Sequence, residues 1–374
     1  MKVLISGGGT GGHIFPALSI ANALVRLYPG VEILFVGAAG RMEMERVPDA
    51  GYRIVGLPVA GFDRRRLWRN FAVVAKLVKS MAMARRVLRD FCPDICVGVG
   101  GYASGPMLKA AQRKGIPTLI QEQNSYAGVT NKLLAKKAAA ICVAYDGMER
   151  FFPARAITVT GNPVRDNIVG TGLEPRQARE ALGFAPDAPL VAVVGGSLGA
   201  RTLNEAMKEA LGDILATGAS VLWQTGKYYD GDCQEFLAAF RASHPGVDSS
   251  RLQVVPFVRQ MELVYAGATL MVSRAGASTI SEIQIAGIPS VLVPSPNVAE
   301  DHQRKNAEAL AGRGAAVMVL DADAVATLGR QVVALLADSG RRDQIAARVA
   351  EMALCHADEK IARMVYDIVN HKNN

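Results

Sequence analysis

The chain has 374 residues, half of them hydrophobic and a fifth charged, which excludes a disordered or low-complexity protein because apolar surface for burial is ample. At about 150 residues per domain, this length predicts two globular lobes rather than one core. The formal charge is +8, unevenly placed: residues 1–163 hold 22 basic and 10 acidic side chains, net +12, whereas residues 164–374 hold 20 and 24, net −4. A basic front half predicts an acidic partner there, whether nucleic acid, an anionic membrane surface or a phosphorylated substrate. Composition does not choose among them.

The apolar run at the amino terminus stops at Gly7, short of the ~7–15-residue core of a secretion signal. The best candidate for a membrane span, residues 71–78, is interrupted by Lys76 and is far shorter than the ~20 residues required. A soluble or peripheral protein is expected. The five cysteines, Cys92, Cys96, Cys142, Cys233 and Cys355, contain no CxxC pair. They read as reduced cytosolic thiols that mostly fill the core, with neither a disulfide framework nor a zinc site.

Short apolar runs alternate with segments of helical period, the pattern of parallel α/β units. Strands are predicted at 2–6, 33–36, 95–98, 118–121, 141–144 and 157–160, then at 190–194, 221–224, 252–256, 270–273 and 290–293. Gly161-Asn162-Pro163 and the polar stretch to Pro175 read as an interdomain connection. The expected domains are 1–163 and 164–374, and the chain after Asp321 is expected to be helical. Each half opens with a strand running into a glycine-rich turn, so two Rossmann-like lobes are predicted, with ligands at the carboxyl ends of their strands.

The first turn, Gly7-Gly8-Gly9-Thr10-Gly11-Gly12-His13, satisfies G-x-G-x-x-G, which presents backbone amides at a helix start to an anion or polar group. A tight strand-to-helix turn explains one or two of these glycines but not five in six positions. A dinucleotide site also needs an acidic residue at the end of the second strand, yet that strand runs into Gly37-Ala38-Ala39-Gly40, which counts against NAD. His13 is a candidate general base, or simply a hydrogen-bonding group at a helix end.

Gly195-Gly196-Ser197-Leu198-Gly199-Ala200 offers amides and the Ser197 hydroxyl to a phosphate. No G-x-x-x-x-G-K-[ST] occurs, since Gly226-Lys227 is followed by Tyr228, and P-loop hydrolysis of ATP or GTP is not expected. A third glycine turn leads into Ala277-Ser278-Thr279-Ile280-Ser281-Glu282. Two readings stand there: Thr279-x-x-Glu282 is a capping box, or Glu282 accepts from two ribose hydroxyls with the turn beneath a pyrophosphate. Asp230-Gly231-Asp232 and Asp321-Ala322-Asp323 resemble a D-x-D metal clamp, but both fall where turns or helix caps are expected, so no tightly held metal is predicted. Around 64–89, Arg65, Arg69, Lys76, Lys79 and Arg86 share a sector of about 100° with Trp68 and Met83, while Leu67, Phe71, Val74, Val78, Met81 and Leu88 lie opposite and are expected to face the core. The basic sector suits either an anionic lipid surface or plain solvent.

Together these blocks resemble the MurG family, peripheral-membrane N-acetylglucosaminyltransferases of peptidoglycan synthesis. The resemblance rests on Gly8 to His13, Gly100-Gly101-Tyr102, Glu122-Gln123-Asn124, Gly161 to Arg165, Gly195 to Ala200, Ser273 to Glu282, and Asp301-His302-Gln303 with Asn306-Ala307, in family order. It implies an α/β GT-B fold and inverting transfer of GlcNAc from UDP-GlcNAc to the C4 hydroxyl of MurNAc in undecaprenyl-pyrophosphoryl-MurNAc-pentapeptide (lipid I), giving lipid II and UDP. On that resemblance Arg165 and Ser197 meet the donor phosphates, the Val258 backbone meets uracil, Ala277, Ser278, Thr279, Ile280, Ser281 and Glu282 form the nucleotide-sugar segment, and Gln303 meets a GlcNAc hydroxyl. Thr10, Gly11, Gly12 and Asn124 join the UDP-GlcNAc contacts from the first lobe, closing over donor and acceptor, Gly101, Tyr102 and Asn131 lie on the acceptor side, and His13 is the expected base. Arg65, Trp68, Arg69, Lys76 and Lys79 form the expected membrane patch.

The implied setting is the cytoplasmic face of the plasma membrane, with UDP-GlcNAc, lipid I, the anionic lipid surface and other cell-wall synthesis proteins as partners. No nucleic acid and no cofactor are expected, and the last helix is expected to pack back on the first domain. A UDP-GlcNAc 2-epimerase of the same double-Rossmann architecture is the alternative.

Overall fold

Val3, Leu4 and Ile5 are fully buried, and their side chains alternate between two cores: Val3 and Ile5 join one apolar cluster and Leu4 another. A strand covered on both faces in this way is the signature of a parallel sheet sandwiched by helices. The computed structural model describes residues 1–9, 11–59, 70–164, 172–298 and 301–371.

In the first half the elements are β1 (Lys2–Ser6), α1 (Gly11–Leu27), β2 (Glu32–Ala38), α2 (Glu43–Asp49), β3 (Arg53–Leu57), α3 (Asn70–Phe91), β4 (Ile95–Gly98), α4 (Ser104–Arg113), β5 (Thr118–Glu122), α5 (Val129–Ala135), β6 (Ala140–Val143) and β7 (Ile157–Val159). The second half continues with α6 (Pro175–Ala181), β8 (Leu190–Val194), α7 (Arg201–Ala216), β9 (Ser220–Gln224), α8 (Asp230–Ser243), β10 (Leu252–Val255), α9 (Met261–Gly267), β11 (Leu270–Ser273), α10 (Ala277–Ala286), β12 (Ser290–Leu292), α11 (His302–Ala311), β13 (Val317–Met318), α12 (Ala324–Ala337), α13 (Ser339–Glu351) and α14 (Ala357–His371).

The strands form two all-parallel sheets, in the orders β3-β2-β1-β4-β5-β6-β7 and β10-β9-β8-β11-β12-β13. Both wind outward from a central pair, so each has a topological switch point, between β1 and β4 in one and between β8 and β11 in the other. Loops leaving the carboxyl ends of those strands line a crevice, where doubly wound sheets bind ligands. Two strands escaped the sequence reading, β3 and β13. β3 lies at the sheet edge, is only partly buried and contains Gly56, and β13 has two residues, so neither carries a long apolar run.

The chain divides into two compact units, Met1–Arg165 with Leu354–Asn374, and Asp166–Ala353. The tail belongs to the first unit because α14 packs on α1. Ile361, Ala362 and Val365 are fully buried in the same cluster as Ile20, Ala21 and Leu24. Tyr28 and Tyr366 stack with ring centroids 4.2 Å apart, and Arg26 pairs with Asp358 at 3.3 Å and Glu359 at 3.1 Å. Gly161 permits the approach: its φ is +86°, and a Cβ there would lie 2.5 Å from that of Leu354. The second unit's main core is built between α7 and α12, where Leu203, Met207, Leu211 and Ile214 meet Leu328, Val332 and Leu335.

Candidate active-site loops

In the first unit, the Gly7–Gly12 turn leaves β1 and the Gly100–Gly101 turn follows β4, on opposite sides of the switch point. They are held together from below. The buried Ser104 hydroxyl lies 2.6 Å from the Ser6 carbonyl oxygen and 2.7 Å from that of Gly100, donating to one at a time. A Cβ on Gly101 would fall 2.2 Å from the Gly8 carbonyl oxygen, and both residues have positive φ, so only glycine permits this contact. His13 is the third residue of α1, and its ring lies over Gly100: a Cβ there would meet Cδ2 at 2.8 Å and Nε2 at 2.9 Å. Pro16, further along the helix, offers no N–H to the Gly12 carbonyl.

The carboxyl end of β5 carries a buried polar network. The Glu122 carboxylate accepts from the Asn124 backbone N–H and side-chain amide, each at 3.1 Å, from the Gly128 N–H at 2.9 Å and from Asn131 Nδ2 at 2.8 Å. Gln121 donates to Asn162 Oδ1 at 2.9 Å, Asn162 Nδ2 donates to the Gln123 carbonyl at 3.0 Å, and Gln123 donates to Val99 O at 2.7 Å and to Gln121 Oε1. These bonds satisfy polar groups that would otherwise be costly to bury, and they hold Asn124 on Glu122 at the carboxyl end of β5, the strand next to β4.

In the second unit, Gly195–Ala200 leaves β8. Gly196 and Gly199 have φ near +90°, and Gly199 packs against Gly226 so closely that a Cβ on either would strike backbone. Gly196, Ser197 and Leu198 are exposed. Across the switch point, α10 begins at Ala277 with Gly276 as N-cap and no side-chain cap. Its first amides are therefore left for an external acceptor. The Thr279–Glu282 capping box does not form, because the helix starts before Thr279. Glu282 is buried instead, and its Oε2 accepts from the Tyr265 hydroxyl at 2.7 Å. Gln303 Oε1 accepts from the Ser295 N–H at 2.9 Å, and the Val258 N–H donates to Gln224 Oε1 at 2.9 Å.

Residues 3–143 match the glycosyltransferase family 28 N-terminal domain and residues 190–362 the C-terminal domain of that family. The chain belongs to glycosyltransferase family 28. A Bacteroides thetaiotaomicron protein named UDP-N-acetylglucosamine--N-acetylmuramyl-(pentapeptide) pyrophosphoryl-undecaprenol N-acetylglucosamine transferase is 52% identical, over 100% of this chain and 99% of its own length. The same-named Porphyromonas gingivalis (strain W83) protein is 48% identical over 100% and 97%. The crystal structure of Acinetobacter baumannii MurG superposes with a TM-score of 0.77 at 29% identity, covering 98% of this chain and 99% of that one. The GT-B architecture expected from the resemblance is the one observed, and the chain is a glycosyltransferase.

Of the site residues named from sequence, His13, Gly11, Gly12, Gly101, Tyr102 and Asn124 fall around the first switch point, and Ser197 and Ala277 to Glu282 around the second. Asn131 is buried and braces Glu122. Thr10, Arg65, Trp68, Arg69 and Arg165 lie outside the described residues. Both D-x-D segments are engaged within the second unit: Asp230 accepts from Thr225 Oγ1 at 2.8 Å, Asp232 pairs with Lys208 at 2.6 Å, and Asp321 accepts from Thr202 Oγ1 at 3.0 Å and pairs with Arg274. Sequence reasoning missed Glu43 and Tyr265: the acid of a dinucleotide site belongs at the end of β2, whereas Glu43 lies five residues beyond it, and a tyrosine in a helix carries no local signal. It also passed over Glu122 as a functional side chain, although the neighbouring amides Gln121, Gln123 and Asn124 hinted at a polar network.

The α3 helix corrects part of the helical-wheel expectation. Val78, assigned to the core, is 66% exposed, and Met83, assigned to the basic sector, packs on the core. The buried stripe is Ser80, Ala84 and Leu88, one turn apart. Before it, Ala75, Lys76, Leu77, Val78 and Lys79 are all exposed, more than a full turn of helix without a covered side.

Proposed function

We infer that this chain transfers GlcNAc from UDP-GlcNAc to the C4 hydroxyl of MurNAc in lipid I, giving lipid II and UDP, with inversion at the anomeric carbon. The observation that carries the reading is full-length identity of about half to relatives named for this transfer, combined with glycine turns at both switch points. Ser197, the amides of its loop and the open first turn of α10, all in the second unit, together with Arg165, are assigned to the UDP pyrophosphate. Amide dipoles and a guanidinium stabilise the charge that develops as UDP leaves, so no tightly bound metal is assigned to the reaction. Glu282, oriented by Tyr265, takes the ribose hydroxyls, Gln303 a GlcNAc hydroxyl, and the Val258 backbone the uracil.

In the first unit, His13 is assigned as the base that removes the proton from the acceptor hydroxyl, with Gly101, Tyr102 and Asn131 on the acceptor side and Gly11, Gly12 and Asn124 contributing to the donor. The exposed turn at residues 75–79, with two lysines flanking Leu77 and Val78, supports attachment to an anionic lipid surface. No described helix is long and apolar enough to cross a membrane, and the reading places the enzyme peripherally on the cytoplasmic face.

The test is UDP release from UDP-GlcNAc with and without lipid I, in the presence of EDTA. Release that requires lipid I and persists with chelator is expected. Epimerisation of UDP-GlcNAc without lipid I would favour the epimerase alternative, and binding without UDP release would indicate a nucleotide-sugar binding module.

A further inference from the structure

The first glycine loop is held by a carboxylate of the protein itself. Glu43 opens α2 and is 1% exposed. Both of its oxygens lie 3.0 Å from the Gly9 amide nitrogen, and Oε1 also accepts from the Ala38 N–H at 2.8 Å. The space it fills exists only because two neighbours lack side chains: a Cβ on Gly8 would meet Glu43 Oε1 at 2.1 Å, and one on Gly37 would meet its Cγ at 2.5 Å. The acid that a dinucleotide site would direct to a ribose thus lies past the Gly40 turn and points at the loop. The Gly9 amide is thereby turned to an internal anion rather than offered to a substrate phosphate.

We propose that Glu43 is a positioning residue for the transfer: by holding Gly9 from below, it fixes the start of α1 and with it His13 over Gly100. The loop is pinned on its other side by Gly101 against the Gly8 carbonyl, so its placement depends on two contacts, one steric and one a charge-assisted hydrogen bond. Without the carboxylate, the partly buried Gly9 N–H loses its charged acceptor and the loop relaxes toward another one. Ser197, the first turn of α10, Glu282, Gln303 and Val258, which are assigned most of the donor contacts, lie in the second unit and do not touch Glu43. The inference rests on the assignment of His13 to the reacting hydroxyl.

The experiment compares Glu43→Gln and Gly37→Ala, the second displacing the carboxylate without touching the loop's own residues. Each is expected to lower kcat about tenfold or more while the KM for UDP-GlcNAc stays within about twofold. Exchange of the Gly9 amide proton, read by NMR on glycine-labelled enzyme, is expected to quicken in both. On a His13→Ala background the same substitutions are expected to change kcat less than about twofold, because groups acting through one another are not additive. Wild-type kcat in both variants overturns the inference. So does a kcat loss of full size on the His13→Ala background, or a matched rise in the donor KM, since either would make Glu43 a general support of the fold. The His13 assignment fails separately, on His13→Ala alone showing wild-type turnover.

Discussion

The Tyr265 hydroxyl donates to Glu282 at 2.7 Å, with both side chains buried. A carboxylate that is to accept from two ribose hydroxyls must be held still, and a buried phenol fixes one of its oxygens at small entropic cost. Tyr265→Phe should raise the KM for UDP-GlcNAc about tenfold, for a hydrogen bond to a charged group worth about 1.5 kcal/mol, and change kcat little. Steady-state kinetics at saturating lipid I check this. An unchanged KM would remove Tyr265 from the donor site.

The tail completes the first unit's core. Ile361→Ala removes a fully buried side chain between α14 and the cluster of Ile20 and Leu24, and should cost about 2–5 kcal/mol. A lowered unfolding midpoint with an unchanged donor KM is expected, because Ser197, α10, Glu282 and Gln303, which are assigned most of the donor contacts, belong to the other unit. Denaturant unfolding and initial-rate kinetics on one preparation provide both readouts.

The fold was legible where side-chain pattern and burial coincide. β1, β4, β8 and β11 are buried on both faces and stood out as apolar runs, and the glycine turns after them marked the switch points. What stayed hidden depends on contacts distant in sequence. Glu43 reaches Gly9 across 34 residues, Tyr265 reaches Glu282 from a neighbouring helix, and no spacing rule announces either. The α3 wheel failed at Val78 for a related reason. A periodic apolar face predicts burial only where another element covers it, and residues 75–79 precede the stretch of α3 whose buried stripe joins the core.

The cysteines divide by burial. Cys96, Cys142 and Cys233 are buried, Cys92 is exposed and Cys355 is partly exposed. Burial pushes the Cys233 thiol up to about 11 and the Cys142 thiol up to about 12, from an ordinary 9.0. Cys96 is raised further for the same reason. At pH 8, iodoacetamide should modify Cys92 and Cys355 in the folded enzyme and all five residues only after denaturation, as mass spectrometry of the alkylated chain would show. A raised folded-state value means that the unfolded chain loses its thiol protons first as pH rises. Stability from these groups is therefore complete below about pH 9 and declines from there toward pH 12, which unfolding midpoints across that range check.

Lys76 and Lys79 flank two exposed apolar residues, Leu77 and Val78. Binding to vesicles containing phosphatidylglycerol should weaken when sodium chloride is raised from 0.05 to 0.5 M (about a threefold shortening of the screening length). It should fall about tenfold or more in the Lys76→Gln/Lys79→Gln double variant, at roughly 1 kcal/mol per basic residue. Co-sedimentation measures both. Binding unchanged in both arms would leave that turn an ordinary solvated surface.

The most direct test of the central claim is the fate of radiolabelled GlcNAc from UDP-GlcNAc incubated with purified enzyme and lipid I. The account predicts that label enters the lipid product one-for-one with UDP released, as a β-linked disaccharide, and that this stops when lipid I is omitted. Label recovered as free sugar or as an epimerised nucleotide sugar, with none in lipid, would contradict it.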